Sequence, residues 1–178
     1  GIGAELVRWL VRSCGVDGDR VVLLCRRAPA GGGPHPLGCR VVVAPDFSSA
    51  AALAALPALR AIKRVDGIFH LAGALADAAI HSMAGPEALD VPLAPKAALM
   101  ALQGCAAQLG WRTDWVVAFS SSTSLLGYGG QANYSAANSL LDHSAWWPEP
   151  LGNGESGAGA AGGGGADGEG AVEILPIV

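Results

Sequence analysis

Apolar residues in this chain recur with two different periods, and the alternation between the two predicts its elements. From Ala4 to Ser13, Leu6, Val7, Leu10 and Val11 fall on one face of a helix. Val21 to Cys25 and Arg40 to Ala44 are short β-branched runs that read as strands. Ser48 to Leu59 is an Ala/Leu helix with Ser48 or Ser49 in place to cap it. Gly67 to Leu71 predicts another strand, and Pro92 to Leu109 a long helix whose prolines stay in the first turn. Asp114 to Ser120, with the apolar run Trp115-Val-Val-Ala-Phe119, reads as a buried parallel strand, and Tyr134 to Trp147 as an Ala-rich helix. Val172 to Val178 resembles a last strand. Strands alternating with helices predict an α/β fold, a doubly wound parallel sheet covered on both faces in three layers, α/β/α.

The ends of the pattern predict a fold truncated on both sides. Gly1 begins where a first strand should already have ended, and nothing follows the last strand. Residues 1–147 would form the core. Pro148 to Gly170 is Gly- and Ala-rich, which predicts a flexible insertion over 148–171, remote from the strand ends where ligands bind. Residues 172–178 would then start a further strand.

Composition narrows the classes. A chain of 178 residues fits one domain with a substantial core. A net charge of −4 without any Lys/Arg block gives no footprint for nucleic acid or an anionic membrane surface. No uninterrupted apolar run is long enough to span a bilayer, and nothing at the N-terminus resembles a secretion signal. Cys14, Cys25, Cys39 and Cys105 are scattered without ligand spacing, which predicts a reduced intracellular protein, placed in the cytoplasm, with no structural metal.

Candidate chemistry gathers where the Trp115-Phe119 run opens into Ser120-Ser-Ser-Thr-Ser, then a Gly-rich loop, then the helix carrying Tyr134 and Asn138. In open α/β sheets ligands bind at that end of the strands. Tyr134 is the candidate proton donor; an ordinary phenol, with pKa about 10, is a poor acid at neutral pH and needs a nearby cation. Ser121 could polarise a carbonyl, and Asn138 lies one turn from Tyr134 on the same helical face. Lys96, alone in an Ala/Leu/Met helix, reads from its position as a solvated surface lysine. The absence of a Gly-x-Ser-x-Gly elbow excludes the serine-hydrolase reading. Gly1-Ile2-Gly3 ahead of a helix could be the tail of a dinucleotide-binding loop or an ordinary turn. Arg26-Arg27 stands at a strand end where an NAD-selective fold would place an acid, and favours a 2′-phosphate, hence NADPH; a solvated basic pair is the alternative. Asp46 could accept from an adenine amino group or merely cap the following helix. Ala72 and Gly73 are small enough to let a nicotinamide ribose approach the backbone, though a turn would also want Gly73. His70 is read as structural.

Together these residues resemble the ketoreductase domain of modular polyketide synthases and animal-type fatty acid synthases, a branch of the Rossmann-like short-chain dehydrogenase/reductase superfamily. The resemblance is carried by Gly1-Ile-Gly3, Glu5-Leu-x-Arg-Trp-Leu10, Leu23-Leu-x-Arg26, Gly67-Ile-Phe-His-Leu-Ala-Gly73, Leu93-Ala-Pro-Lys96, Phe119-Ser-Ser121 and Leu126-Gly127. Most specific is Gly130-Gln-Ala-Asn-Tyr-x-Ala-Ala-Asn138, with Leu141-Asp142 after it. Most short-chain dehydrogenases carry Tyr-x-x-x-Lys; the megasynthase ketoreductases have Asn there and Lys on the preceding helix, as here.

The resemblance implies Tyr134 as proton donor, Ser121 as hydrogen-bond donor to the substrate carbonyl, and Lys96 with Asn138 easing proton release and ordering a relay. It implies an NADPH site lined by Gly1, Gly3, Arg26, Asp46, Ala72 and Gly73, and no metal. The implied reaction is hydride transfer from NADPH to a β-ketoacyl thioester on the phosphopantetheine arm of an acyl carrier protein. The partners would be that carrier and the other domains of the parent synthase. Leu75 and Asp77 match two of the three residues of the family's Leu-Asp-Asp stereochemical class, and Leu126 replaces the tryptophan of the opposite class. A non-catalytic relic and a stand-alone dehydrogenase for a free ketone are the competing readings.

Overall fold

The computed structural model describes residues 1–28 and 35–146; the insertion expected at 148–171 and the strand expected at 172–178 lie outside them. Helix α1, Ile2–Arg12, starts directly at Gly1 and buries Gly3, Val7 and Leu10. Strands β1, Val22–Cys25, and β2, Arg40–Val43, follow, and a helical stretch leads to β3, Gly67–His70. Helix α4, Glu87–Leu109, precedes β4, Trp115–Ala118, and the short helix α5, Thr123–Leu126, occupies the Ser-rich exit from that strand. Helix α6, Ala132–Trp146, carries Tyr134 and Asn138.

Two expectations about helices need correction, both at segments that contain proline. The helix expected over Ser48 to Leu59 is two, α2 (Ala50–Ala54) and α3 (Pro57–Arg60). Pro57 forces Leu56 into an extended conformation (φ −67°, ψ 121°) and then starts α3 at the position where a missing N–H costs nothing. Of the two candidate caps Ser49 acts, its Oγ accepting from Ala52 N at 3.3 Å. Helix α4 starts five residues before Pro92, so Pro92 and Pro95 are interior rather than in the first turn. Each removes one i→i−4 donor. The carbonyl of Ala88, four residues before Pro92, instead accepts from the Asn133 side chain at 2.6 Å. A donor from α6 thus fills what the proline left open.

The strands form two parallel pairs. Val22 to Cys25 lie opposite Arg40 to Val43, and Gly67 to His70 lie opposite Trp115 to Ala118. In the doubly wound order 3-2-1-4-5-6 these pairings are those of the 3-2 and 4-5 halves. Period-two alternation gives the halves their layers. Val22, Leu24, Val42 and Ile68 enter a core shared with Leu53, Leu59, Leu99, Leu102 and Leu141 of the helices. Leu23 and Phe69 turn the other way and pack with Val7 and Leu10 of α1. Helices therefore cover both sides of the strands, the α/β/α arrangement that the alternation predicts.

The turn into β4 is fixed by Gly110, whose left-handed conformation (φ 67°) ends α4. It delivers Trp111 into the core, 1% exposed, where its indole N–H donates to the Ile62 carbonyl at 3.1 Å. Across β3 and β4 the Trp115 ring lies over Gly67 and meets Phe69 edge-on, with ring centroids 4.9 Å apart. A Cβ on Gly67 would fall inside that indole. Gly67→Ala is expected to lower stability by about 1–3 kcal/mol and to weaken the near-ultraviolet dichroism of the Trp115–Phe69 pair, read together in thermal unfolding of the two proteins.

Candidate active site

Lys96 is not a surface lysine. It projects from α4 into the interior, 2% exposed. Its Nζ donates to the Phe119 carbonyl at 3.0 Å, one residue beyond β4 and two before Ser121. Gly73, just past β3, sits so close that a Cβ there would be 3.8 Å from Nζ. Burial pushes the Lys96 ammonium below its ordinary pKa, and the Asp142 carboxylate of α6 partly opposes that shift. A cation is thus held in a dry region where β3, β4, α4 and α6 converge, and its field there is weakly screened.

Hydrogen bonds order the residues of α6 and the β4 exit and join the two segments at Ser120. Asn138, fully buried, donates through Nδ2 to the Tyr134 carbonyl at 2.9 Å, while its Oδ1 is buried with no hydrogen-bond partner among the described residues. Ser120 Oγ donates to the Asn138 carbonyl at 3.4 Å. Ser121 is half-buried, and its Oγ accepts from the Thr123 N–H at 3.2 Å and lies 3.0 Å from the Thr123 hydroxyl. Tyr134 is half-buried on the turn of α6 below Asn138.

Asn133 is a residue to which reading the sequence gave no role. Besides the Ala88 carbonyl, its Nδ2 reaches the Ala76 carbonyl at 2.8 Å, and its Oδ1 accepts from Tyr134 N at 2.8 Å. One buried amide therefore joins the start of α6, the proline-interrupted turn of α4 and the loop after β3. Gln131 reinforces the same junction by donating to Asp77 at 2.8 Å. The signal available was its place inside the most specific block of the sequence, Gly130 to Asn138. Its partners were not legible there, because they are carbonyls more than forty positions away in sequence.

The candidate cofactor residues divide between two cavities. Arg26, Asp46, Ala72 and Gly73 line one of about 470 Å³ at the C-terminal ends of β1, β2 and β3, with Asp90 and Pro95 of α4 on its far wall. Gly1, Gly3 and Arg27 line another of about 590 Å³, with Leu71 and Phe119. Arg26 and Arg27, adjacent in sequence, serve different walls. Asp46 does not cap α2: its Oδ1 accepts from the Ser48 N–H at 2.7 Å, and hydrogen bonding to Ser48 holds its carboxyl below the usual range. No described helix is long and apolar enough to cross a membrane.

Residues 1–154 match the family described as the KR domain. The chain is 38% identical over 156 residues to the polyketide synthase GfsA of Streptomyces halstedii, covering 79% of this chain and 2% of that protein. It is 38% identical over 150 residues to the mycoketide-CoA synthase of Mycobacterium tuberculosis, covering 79% of this chain and 4% of that one. The ketoreductase from the first module of phoslactomycin biosynthesis in Streptomyces sp. HK803 superposes with a TM-score of 0.66 at 29% identity, over 82% of this chain and 35% of that one. The first ketoreductase of the tylosin polyketide synthase gives 0.57 at 33% identity, over 78% of this chain and 34% of that one. The chain therefore spans a few per cent of these synthases and about a third of the solved ketoreductases.

One titration follows from the geometry beside Lys96. His70, fully buried at the end of β3, is pushed from 6.5 down to about 4, first by burial and then by the Lys96 charge. Between those values the unfolded chain binds a proton that the folded chain does not, so stability is lost as the pH falls through that window. The loss is expected to reach about 3 kcal/mol near pH 4. Urea midpoints at pH 7 and pH 4.5 should converge in His70→Gln relative to wild type; an identical pH slope in the two proteins would remove His70 as the source.

Proposed function

This chain belongs to the KR domain family, and from that premise we propose that it catalyses NADPH-dependent reduction of a β-ketoacyl thioester to the β-hydroxyacyl thioester. In this reading the acyl chain is carried by the phosphopantetheine arm of an acyl carrier protein, within a polyketide or fatty acid synthase whose other domains are its partners. The observation that carries the proposal is the buried Lys96 ammonium, 3.0 Å from the Phe119 carbonyl, at the root of the segment bearing Ser121. A lysine kept for solubility would not be desolvated there.

The residues divide the work by chemistry. Arg26, a cation at the end of β1, suits the 2′-phosphate of NADPH, and Asp46 on the same cavity wall offers acceptor oxygens to an adenine amino group. Ala72 and Gly73 leave that cavity open beside the strand end. The bound nicotinamide would supply the hydride. Negative charge then develops on the substrate oxygen, and Ser121 and Tyr134 are the donors that would stabilise it, with Tyr134 passing its proton. In this reading the Lys96 ammonium would stabilise the phenolate that remains. Asn138 Oδ1, buried and without a hydrogen-bond partner among the described residues, is available to accept from a water that reprotonates the site.

Two measurements test this on the full-length protein. Tyr134→Phe is expected to lower kcat for a β-ketoacyl thioester by about 100- to 10,000-fold, the range for losing a general acid, with NADPH affinity retained; loss of binding would make Tyr134 structural. Arg26→Ala is expected to weaken NADPH by about 10- to 100-fold, as for a lost charge-assisted hydrogen bond, and NADH far less. Equal losses for the two cofactors would remove the 2′-phosphate assignment. Wild-type protein that binds no NADPH would favour a non-catalytic relic.

A further inference from the structure

His70 closes a ring of contacts around Lys96. Its ring Nε2 is 2.9 Å from the Pro95 carbonyl, and because that oxygen only accepts, Nε2 carries the proton. Pro95 is joined by a peptide bond to Lys96, whose Nζ donates to the Phe119 carbonyl at 3.0 Å. The Phe119 N–H in turn donates to the His70 carbonyl at 2.9 Å. Imidazole, proline carbonyl, lysine and strand backbone therefore form one closed circuit linking α4, β3 and the exit of β4.

The circuit meets a specific weakness. Pro92 and Pro95 withdraw two helical donors from the turns of α4 that present Lys96. A helix interrupted in this way is free to bend there unless something outside it supplies contacts. Asn133 supplies one at the Ala88 carbonyl, which Pro92 leaves without its helical donor, and His70 adds another at the Pro95 carbonyl, one peptide bond from Lys96. His70 is a costly choice for a buried strand position, because its Nδ1 is buried with no hydrogen-bond partner among the described residues. An aliphatic side chain would fill the space without that cost, so packing does not explain the residue, whereas the Nε2–H bond does.

We propose that His70 is a positioning residue for Lys96: by holding the Pro95 carbonyl, it fixes the turn of α4 from which the ammonium reaches the Phe119 carbonyl. The activity part of this inference rests on the ketoreductase reading above; the placement of Lys96 does not.

The test uses two isosteres in the full-length protein. In His70→Gln the amide nitrogen falls where Nε2 was, and in His70→Asn where Nδ1 was. Accessibility of Lys96 is read as the rate of its acetylation by acetic anhydride, followed by peptide mass spectrometry, and activity as NADPH oxidation with a β-ketoacyl thioester. His70→Asn is expected to speed Lys96 labelling severalfold and lower kcat by about 10- to 100-fold, the cost of a misplacement on the order of 1 Å. His70→Gln should restore both toward wild type. Equal labelling of Lys96 in the two variants overturns the proposal. Should His70→Asn not fold, His70→Gln decides alone, since fast labelling in a folded Gln variant is equally fatal. Labelling that separates the variants in a protein whose wild type shows no turnover would sustain the role of His70 and defeat the ketoreductase reading instead.

Discussion

Burying one ammonium group is the constraint around which this molecule is arranged. Lys96 gives up water for a hydrogen bond to the Phe119 carbonyl, and sits beside a fully buried imidazole. A desolvated charge is tolerated only where its surroundings are fixed. The fixing groups come from four elements: the carbonyl beyond β4, Gly73 past β3, Asp142 on α6 and the proline-interrupted backbone of α4 itself. The first three lie more than twenty positions from Lys96 in sequence. The charge is stable there only once the fold is complete, which makes it a product of tertiary structure as well as a participant in the proposed chemistry.

The two prolines of α4 show how a local defect becomes a joint. In isolation Pro92 and Pro95 would break or kink a helix. Here Pro92 frees the Ala88 carbonyl, and side chains from other elements hold the backbone on both sides of the interruption. Asn133 takes the Ala88 carbonyl and in the same stroke secures the first turn of α6 and the loop after β3. His70 takes the carbonyl of Pro95. Side chains that satisfy backbone groups across elements place the segment bearing Tyr134 and the turn bearing Lys96 in one frame. The proposed proton chemistry needs that registration, since donors aimed at a developing charge act only when preorganised.

The cofactor residues illustrate a different point about adjacency. Arg26 and Arg27 look equivalent as a basic pair, yet in the bend that follows β1 they line different cavities. Arg26 shares its cavity with Asp46, Ala72 and Gly73, which come from the ends of three strands. Convergence at strand ends is the general property of open α/β sheets, and it turned four scattered residues into one lining.

Much was legible in the sequence alone. The alternation of periods two and 3.6 gave the four described strands to within a residue or two and the α/β/α layering, because burial on one or two faces is written directly into hydrophobic spacing. The block ending in Gly130-Gln-Ala-Asn-Tyr-x-Ala-Ala-Asn138, with Leu93-Ala-Pro-Lys96, pointed to the family, since its residues are spaced by chemistry rather than by packing. The break at Leu56-Pro57 is a local effect of Pro57, but propensity could not give the early start of α4 or the burial of Lys96. Each depends on partners far away in the chain: Asn133 for the carbonyl Pro92 freed, Phe119 for the ammonium, Pro95 for the imidazole. Sequence spacing determined which residues share an element and a face. Only the tertiary structure decided which backbone carbonyls those side chains would meet, because long-range hydrogen bonds are set by how elements pack and leave no periodic trace in the chain.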